Sequence, residues 1–158
     1  MTYVEVLVCL VILGVSVAAS MRAFGSFAMG RRIWEETAVA QELANQLMVE
    51  INMLPFSDPS GSNSIGIEAG ESSTDKRTFD DIDDFNNWNE SPPRDRNNAI
   101  MSGFEGYSRR VSVGFSDWNP SGVTFPTGTF KKITVTASKN GRELARVTAF
   151  RSRNNVEE

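Results

Sequence analysis

Histidine is absent from the 158 residues, and cysteine occurs once, as Cys9. The first absence removes Ser-His-Asp triads and imidazole-bearing zinc sites. The second rules out a disulfide within the chain. Positive charge is also in short supply. A net charge of -4 and an isoelectric point near 5.0 leave no basic stripe, so nucleic-acid binding is not expected. With these parts missing, the expected role is not that of an enzyme.

What is present is unevenly distributed. Residues 1–54 hold 3 Lys/Arg and 5 Asp/Glu, residues 55–106 hold 4 and 11, and residues 107–158 hold 9 and 4. The chain thus has an apolar front, an acidic middle and a basic end. The front is apolar from Val6 to Gly30, with Arg22 its one charge. As a helix these 25 residues reach roughly 37 Å, enough to cross a hydrocarbon core of about 30 Å. A buried core helix and a signal peptide are the alternatives, but no basic start precedes the run. Glu5 stands at its edge, where a carboxylate costs on the order of a few kcal/mol in a membrane. The nearest basic side chain, Arg22, is roughly 25 Å away along a helix. That leaves an N-terminal amine as its partner, its own or a neighbouring chain's.

Met1-Thr2-Tyr3-Val4-Glu5, followed by an apolar run through Gly14, resembles the N-terminus of mature type IV pilins and type II secretion pseudopilins. That pattern has an aromatic residue or Met first, Thr second, Glu fifth, and then an apolar helix. The resemblance covers residues 1–30 and implies that Met1 is the first residue after a leader peptidase has cut, its amine then methylated. It implies a bacterial inner-membrane monomer that a pilus or secretion machinery polymerises with its own kind into a surface filament. Met1, Thr2 and Glu5 would serve assembly, and Gly14 would sit where the helix loosens. Two features depart from the pattern of many major pilins: Arg22 stands where they have Pro, and Cys9 alone cannot close a C-terminal disulfide loop. The Ala-rich segment 36–54, ending at Leu54-Pro55, looks more like minor pilins and pseudopilins.

Ile33, Ala40, Ala44, Leu47, Ile51 and Leu54 continue the helix at spacings of three, four and seven, and Pro55 ends it. A helix over 2–54 is roughly 80 Å long. A small soluble domain is about 26 Å across, so the apolar half is expected to protrude into a membrane or a bundle of like helices. Small residues at 14, 16, 20, 25, 26 and 30 suit either close helix approach or local loosening.

Residues 55–106 read as loop. Asp80, Asp81, Asp83 and Asp84 crowd together between Phe79, Phe85 and Trp88. A solvated acidic loop with aromatic anchors is one reading. A calcium site is the other, since carboxylates suit a hard cation, although the EF-hand's spacing, Gly and terminal Glu are missing. The resemblance adds that some pseudopilins bind calcium in this general part of the fold. Strands are expected over 107–115, 132–137 and 143–150, with Asn140-Gly141 as a hairpin turn and a short extra strand at 123–125. Their apolar face, from Val111, Val113, Ile133, Val135, Leu144 or Ala145, Val147 and Ala149, requires the helix as cover. Arg109, Arg110, Lys131, Lys132, Arg142, Arg146, Arg151 and Arg153 are expected on the outer face, either solvated or meeting a neighbour's acidic loop.

The expected fold is α+β and pilin-like, a long N-terminal helix packed on three to four antiparallel strands. Its parts are an apolar half at 1–30 and a head at 31–158, the latter made of helix 31–54, acidic loops 55–106 and sheet 107–153. A membrane-anchored binding domain is the competing class, and it leaves Thr2 and Glu5 without a reason.

Overall fold

The computed structural model describes residues 2–59, 61, 64–117, 126 and 128–153, without the side chains of 28 and 29. One helix, α1 (Tyr3–Asn52), is followed by four strands: β1 (Asn89–Glu90), β2 (Tyr107–Ser116), β3 (Phe130–Lys139) and β4 (Arg142–Ser152). A short 3-10 turn, Lys76–Thr78, interrupts the loops. The strands form one antiparallel meander in the order β1-β2-β3-β4. The chain divides into two compact units, one up to Glu36 and one from Thr37 onward.

In the second unit α1 buries Ala40, Leu43, Ala44, Leu47, Met48 and Ile51. These positions recur every three or four residues, so they share one face of the helix. They join Tyr107, Val111, Val113, Ile133, Val135, Ala137 and Ala145 from the sheet in one core. Burying Leu43, Leu47 and Ile51 contributes roughly 1.5–3 kcal/mol each. The helix ends in a tightened turn, with Met53 N–H donating to Glu50 O at 3.2 Å and Leu54 N–H to Ile51 O at 3.1 Å. Pro55 follows and cannot extend it. Phe79, Phe85 and Trp88 close the core beside the helix, edge to face at centroid distances of 4.9, 5.2 and 6.5 Å. The aromatic anchors expected of the acidic middle are therefore present.

β3 and β4 join through Asn140 and Gly141 at φ 50° and 80°, the left-handed pair that a two-residue hairpin requires. Gly106 lies beneath this turn and accepts the Asn140 N–H at 2.8 Å. A Cβ at Gly106 would come 2.7 Å from Asn140 Oδ1. The short strand expected at 123–125 falls outside the described residues, and the further strand among those described lies elsewhere. It is Asn89–Glu90, pairing with Arg110 and Arg109 in a stretch that reads as loop. Beyond it, Val111 N–H donates to Trp88 O and Val113 N–H to Asn86 Oδ1, so the β2 edge is covered by loop rather than left open.

The sheet's helix-facing side is not wholly apolar. Arg109 shares the inward register of Tyr107, Val111 and Val113, and Lys131 shares that of Ile133, Val135 and Ala137. Both are buried, contrary to their expected place on the basic outer face. Arg109 donates to Glu90 through Nε at 2.8 Å and through Nη2, and its Nη1 donates to Leu43 O at 3.1 Å. Lys76 Nζ meets Glu90 Oε1 at 3.1 Å and Glu50 Oε2 at 3.0 Å. Trp88 Nε1–H and Arg94 N–H complete the shell around Glu90 at 2.9 and 3.0 Å. On β4, half-buried Arg151 donates to Asn52 O at 2.6 Å, a cation on the last residue of α1.

Burial opposes ionisation of Glu90, but Arg109, Lys76 and the Trp88 and Arg94 donors outweigh it and hold the carboxyl below its ordinary value of 4.5. A depressed pKa means stability that is present above that ordinary value and lost as pH falls through the folded-state value. Glu90→Gln is expected to cost about 3–5 kcal/mol at pH 7, because buried Arg109 loses its counter-charge and buried Lys76 keeps only that of Glu50. The gap to wild type should narrow below about pH 4.5. Denaturant unfolding of the detergent-solubilised chain at several pH values, followed by near-ultraviolet circular dichroism, measures both.

Candidate functional site

The first unit is a helix with its apolar side chains outside. Val6, Leu7, Val8, Leu10, Val11, Ile12, Leu13, Val15 and Val17 are all about half or more exposed, and Phe24 and Phe27 reach 76% and 81%. By length and composition α1 suffices to cross a membrane. Its hydroxyls are already satisfied: Ser16, Ser20 and Ser26 each donate to the carbonyl four residues back, at 2.8, 2.9 and 2.9 Å. A serine so bonded presents little unmet polarity to an apolar surrounding. Arg31–Glu35 and Arg32–Glu36 pairs at 2.8 and 3.3 Å mark the return to polar surface.

Thr2 precedes the helix, and its N–H donates to Glu5 Oε2 at 2.8 Å. This is half of a Thr-x-x-Glu capping box, in which the third helical residue reaches back to satisfy an orphan donor. The spacing of Thr2 and Glu5 therefore has a local reason, which a sequence pass for capping patterns finds directly. The amine of Met1, the partner expected for Glu5, lies outside the described residues. Gly14 sits in unbroken helix with nothing within 4 Å of an added Cβ, and the same holds at Gly25 and Gly30. Cys9 is free and exposed.

The four aspartates expected as calcium ligands are separated by the fold. Asp80 is exposed, whereas Asp81, Asp83 and Asp84 are buried, so the segment is not a solvated loop. Asp83 pairs with Lys131 Nζ, which also donates to Phe56 O at 2.5 Å and lies 4.7 Å from the Phe56 ring centre. Asp81 Oδ1 accepts Asp83 N–H at 2.7 Å and Asp84 N–H at 3.3 Å, a local turn. Burial, then the neighbouring Asp83, pushes the Asp81 carboxyl up to about 8 against the pull of Lys131. Asp84 Oδ2 accepts Asp80 N–H at 2.9 Å and Asp81 N–H at 3.0 Å. Burial, helped by Glu71, pushes Asp84 up to about 7 despite those two donors. Of the four, Asp84 alone joins a cluster with ligand spacing among the described residues, and its companions are Glu68 and Glu71. Sequence reading missed both glutamates because they lie 13 or more positions before Asp84, outside the aspartate run.

The acidic middle and the sheet's cations meet within one chain, through Asp83–Lys131 and Glu90–Arg109, whereas the expected meeting was between neighbouring chains. Arg110, Lys132, Arg142, Arg146 and Arg153 remain on the surface, with Arg146 held by Glu143 at 2.9 Å.

Neither family models nor curated proteins nor solved structures include a match to this chain.

Lys131→Met leaves Asp83 buried without its cation and is expected to destabilise the head by about 3 kcal/mol. Adding Asp83→Asn should recover part of that loss, because the uncompensated charge is gone. Thermal unfolding of the two variants beside wild type checks the order.

Proposed function

We propose that this chain is a structural subunit that polymerises through α1 into an extracellular filament resembling a type IV pilus. The observation that carries the reading is the apolar surface of α1 from Val6 to Phe27, exposed along its length and broken by one charge, Arg22. Such a surface is stable in a bilayer or against copies of itself, and not in water. Before assembly the helix would hold the chain in the bacterial inner membrane, with the head outside. On assembly the apolar side chains would form the filament core. Processing by a leader peptidase and methylation of the Met1 amine belong to this reading, as does a loosening of the helix around Gly14. The head's ion pairs serve folding rather than catalysis, so no enzymatic role is proposed.

In the filament, the Glu5 carboxylate would exchange its bond to Thr2 N–H for the N-terminal amine of a neighbour. In a low-dielectric core an unpaired carboxylate is heavily penalised, which would reward correct register. A minor pilin or a type II secretion pseudopilin is the alternative within the same family. The Ala-rich stretch ending at Leu54-Pro55 and the single cysteine favour it.

Glu5→Ala and Glu5→Gln separate the two roles of this residue. Glu5→Gln keeps an acceptor for Thr2 N–H but removes the charge. If charge pairing between subunits drives assembly, both variants lose filaments while the protein level in the membrane is unchanged. Electron microscopy of sheared surface material, with immunoblots of the membrane fraction, reads this. Wild-type filament yield in Glu5→Ala would refute the assembly role, and filaments in Glu5→Gln alone would reduce it to helix capping.

A further inference from the structure

The face of the sheet turned away from α1 carries a hollow of about 450 Å³ that all four strands line. Its residues form two neighbouring cross-strand rows. Asn89, Arg110, Thr136 and Arg146 are successive register partners across β1, β2, β3 and β4. Ser108, Ser138 and Glu143 make the next row. With strands about 4.8 Å apart, the first row spans about 14 Å. Residues two apart on one strand put the rows about 7 Å from each other. Ser108, Thr136 and Ser138 are half-buried, whereas Arg110, Glu143 and Arg146 are exposed. The hollow therefore has a floor of hydroxyls between long charged side chains.

A register shift between Ala137 and Ser138 sets the charge of the β4 wall. In a regular strand Glu143 and Arg146, three positions apart, point to opposite faces. The shift brings them to one face, where Arg146 donates to Glu143 through Nε at 3.0 Å and Nη2 at 2.9 Å. This pair cancels its own charge and uses one edge of the Arg146 guanidinium. Arg110 has no ion pair and no side-chain hydrogen bond among the described residues, and the same holds for the hydroxyls of Ser108, Thr136 and Ser138. The lining thus holds a net single positive charge, a guanidinium whose donors are unengaged, and three hydroxyls that can each donate or accept.

We propose that this hollow binds a sugar acid, a pyranose that carries one carboxylate. Charge decides the first half of that chemistry. Arg110 offers a carboxylate the two parallel bonds of its planar fork. Glu143 repels a group of higher negative charge such as phosphate, so a single negative charge fits best. The hydroxyl floor decides the second half. Ser108, Thr136 and Ser138 match the mixed donors and acceptors of sugar hydroxyls, and Glu143 accepts from a ring hydroxyl. An apolar acid would displace water from that floor without replacing its hydrogen bonds. A volume of about 450 Å³ falls within the range of roughly 300–1,000 Å³ usual for small-molecule sites. Strands position such groups more firmly than loops do. The inference does not rest on the filament reading, because every lining residue belongs to the second unit.

The test uses the full chain in a detergent without a sugar headgroup, titrated with D-glucuronate and followed by saturation-transfer NMR of the ligand. A Kd on the order of 1 mM is expected, the class that a ligand of about thirteen non-hydrogen atoms reaches at ordinary efficiency. D-glucose lacks the carboxylate and acetate lacks the hydroxyls, so each should bind at least about tenfold more weakly. Arg110→Gln should weaken glucuronate binding at least about tenfold, and Thr136→Val should weaken it severalfold. Both should melt within about 2 °C of wild type, since neither side chain bonds another among the described residues. Lys132→Gln removes an exposed charge from β3 outside the hollow and should bind as wild type does. The methyl glycoside of glucuronate separates two sources of the same chemistry. Equal binding assigns the site to an acidic residue within a glycan, and lost binding assigns it to the free sugar acid. Absence of saturation transfer at ten times the expected Kd overturns the proposal. So does acetate, glucose or inorganic phosphate binding as tightly as glucuronate, or an Arg110→Gln variant that binds no more weakly than Lys132→Gln.

Discussion

A row of inward-facing cations organises the head. Each of the three long strands places one basic residue on the side that faces α1: Arg109 on β2, Lys131 on β3 and Arg151 on β4. Each reaches a partner beyond the three long strands. Arg109 holds Glu90 and the carbonyl of Leu43, Lys131 holds Asp83 and the carbonyl of Phe56, and Arg151 holds the carbonyl of Asn52. The partners lie on the helix and on the acidic middle, so one set of charges fastens both to the sheet. Buried charge pairs add little net stability over well-packed apolar residues, but breaking one side of a pair is costly. Their effect is therefore specificity: a register slip of one residue would expose the cations and strand the carboxylates.

The acidic middle takes its form from this constraint. With little regular secondary structure, its backbone groups are satisfied by side chains and tight turns: Asp81 and Asp84 carboxylates accept amides, and Asn86 covers the edge of β2. Phe79, Phe85 and Trp88 supply the apolar surface that a loop of this length requires. Once Lys131 and Arg109 have neutralised Asp83 and Glu90, a second group of acids is left over around Asp84.

The first unit has the opposite surface chemistry. There, apolar side chains face outward, serine hydroxyls fold back onto their own helix, and the one carboxylate at the N-terminus bonds a backbone donor of the same turn. Each of these lowers the cost of a surrounding without water. α1 (Tyr3–Asn52) contributes residues to both units, and its exposed chemistry changes near Arg31.

Much of this is legible in the amino-acid order, because it depends on local periodicity. The apolar run, the 3.6-residue stripe from Ala40 to Ile51, the alternation of the three long strands and the Asn140-Gly141 turn follow from steric and hydrophobic rules that act over a few residues. The capping pair Thr2–Glu5 is local too. Alternation even places Arg109 and Lys131 inward, but a charge on an apolar face is ambiguous until its counter-ion is known. Tertiary structure alone decided those counter-ions, since Asp83 and Lys131 are 48 positions apart and Glu90 and Arg109 are 19. It also decided that Asn89–Glu90 would pair with β2 as a further strand, and that Asp84 would lie beside Glu68 and Glu71. The chain's order therefore specified its elements and its apolar surfaces, and packing decided which charges face one another.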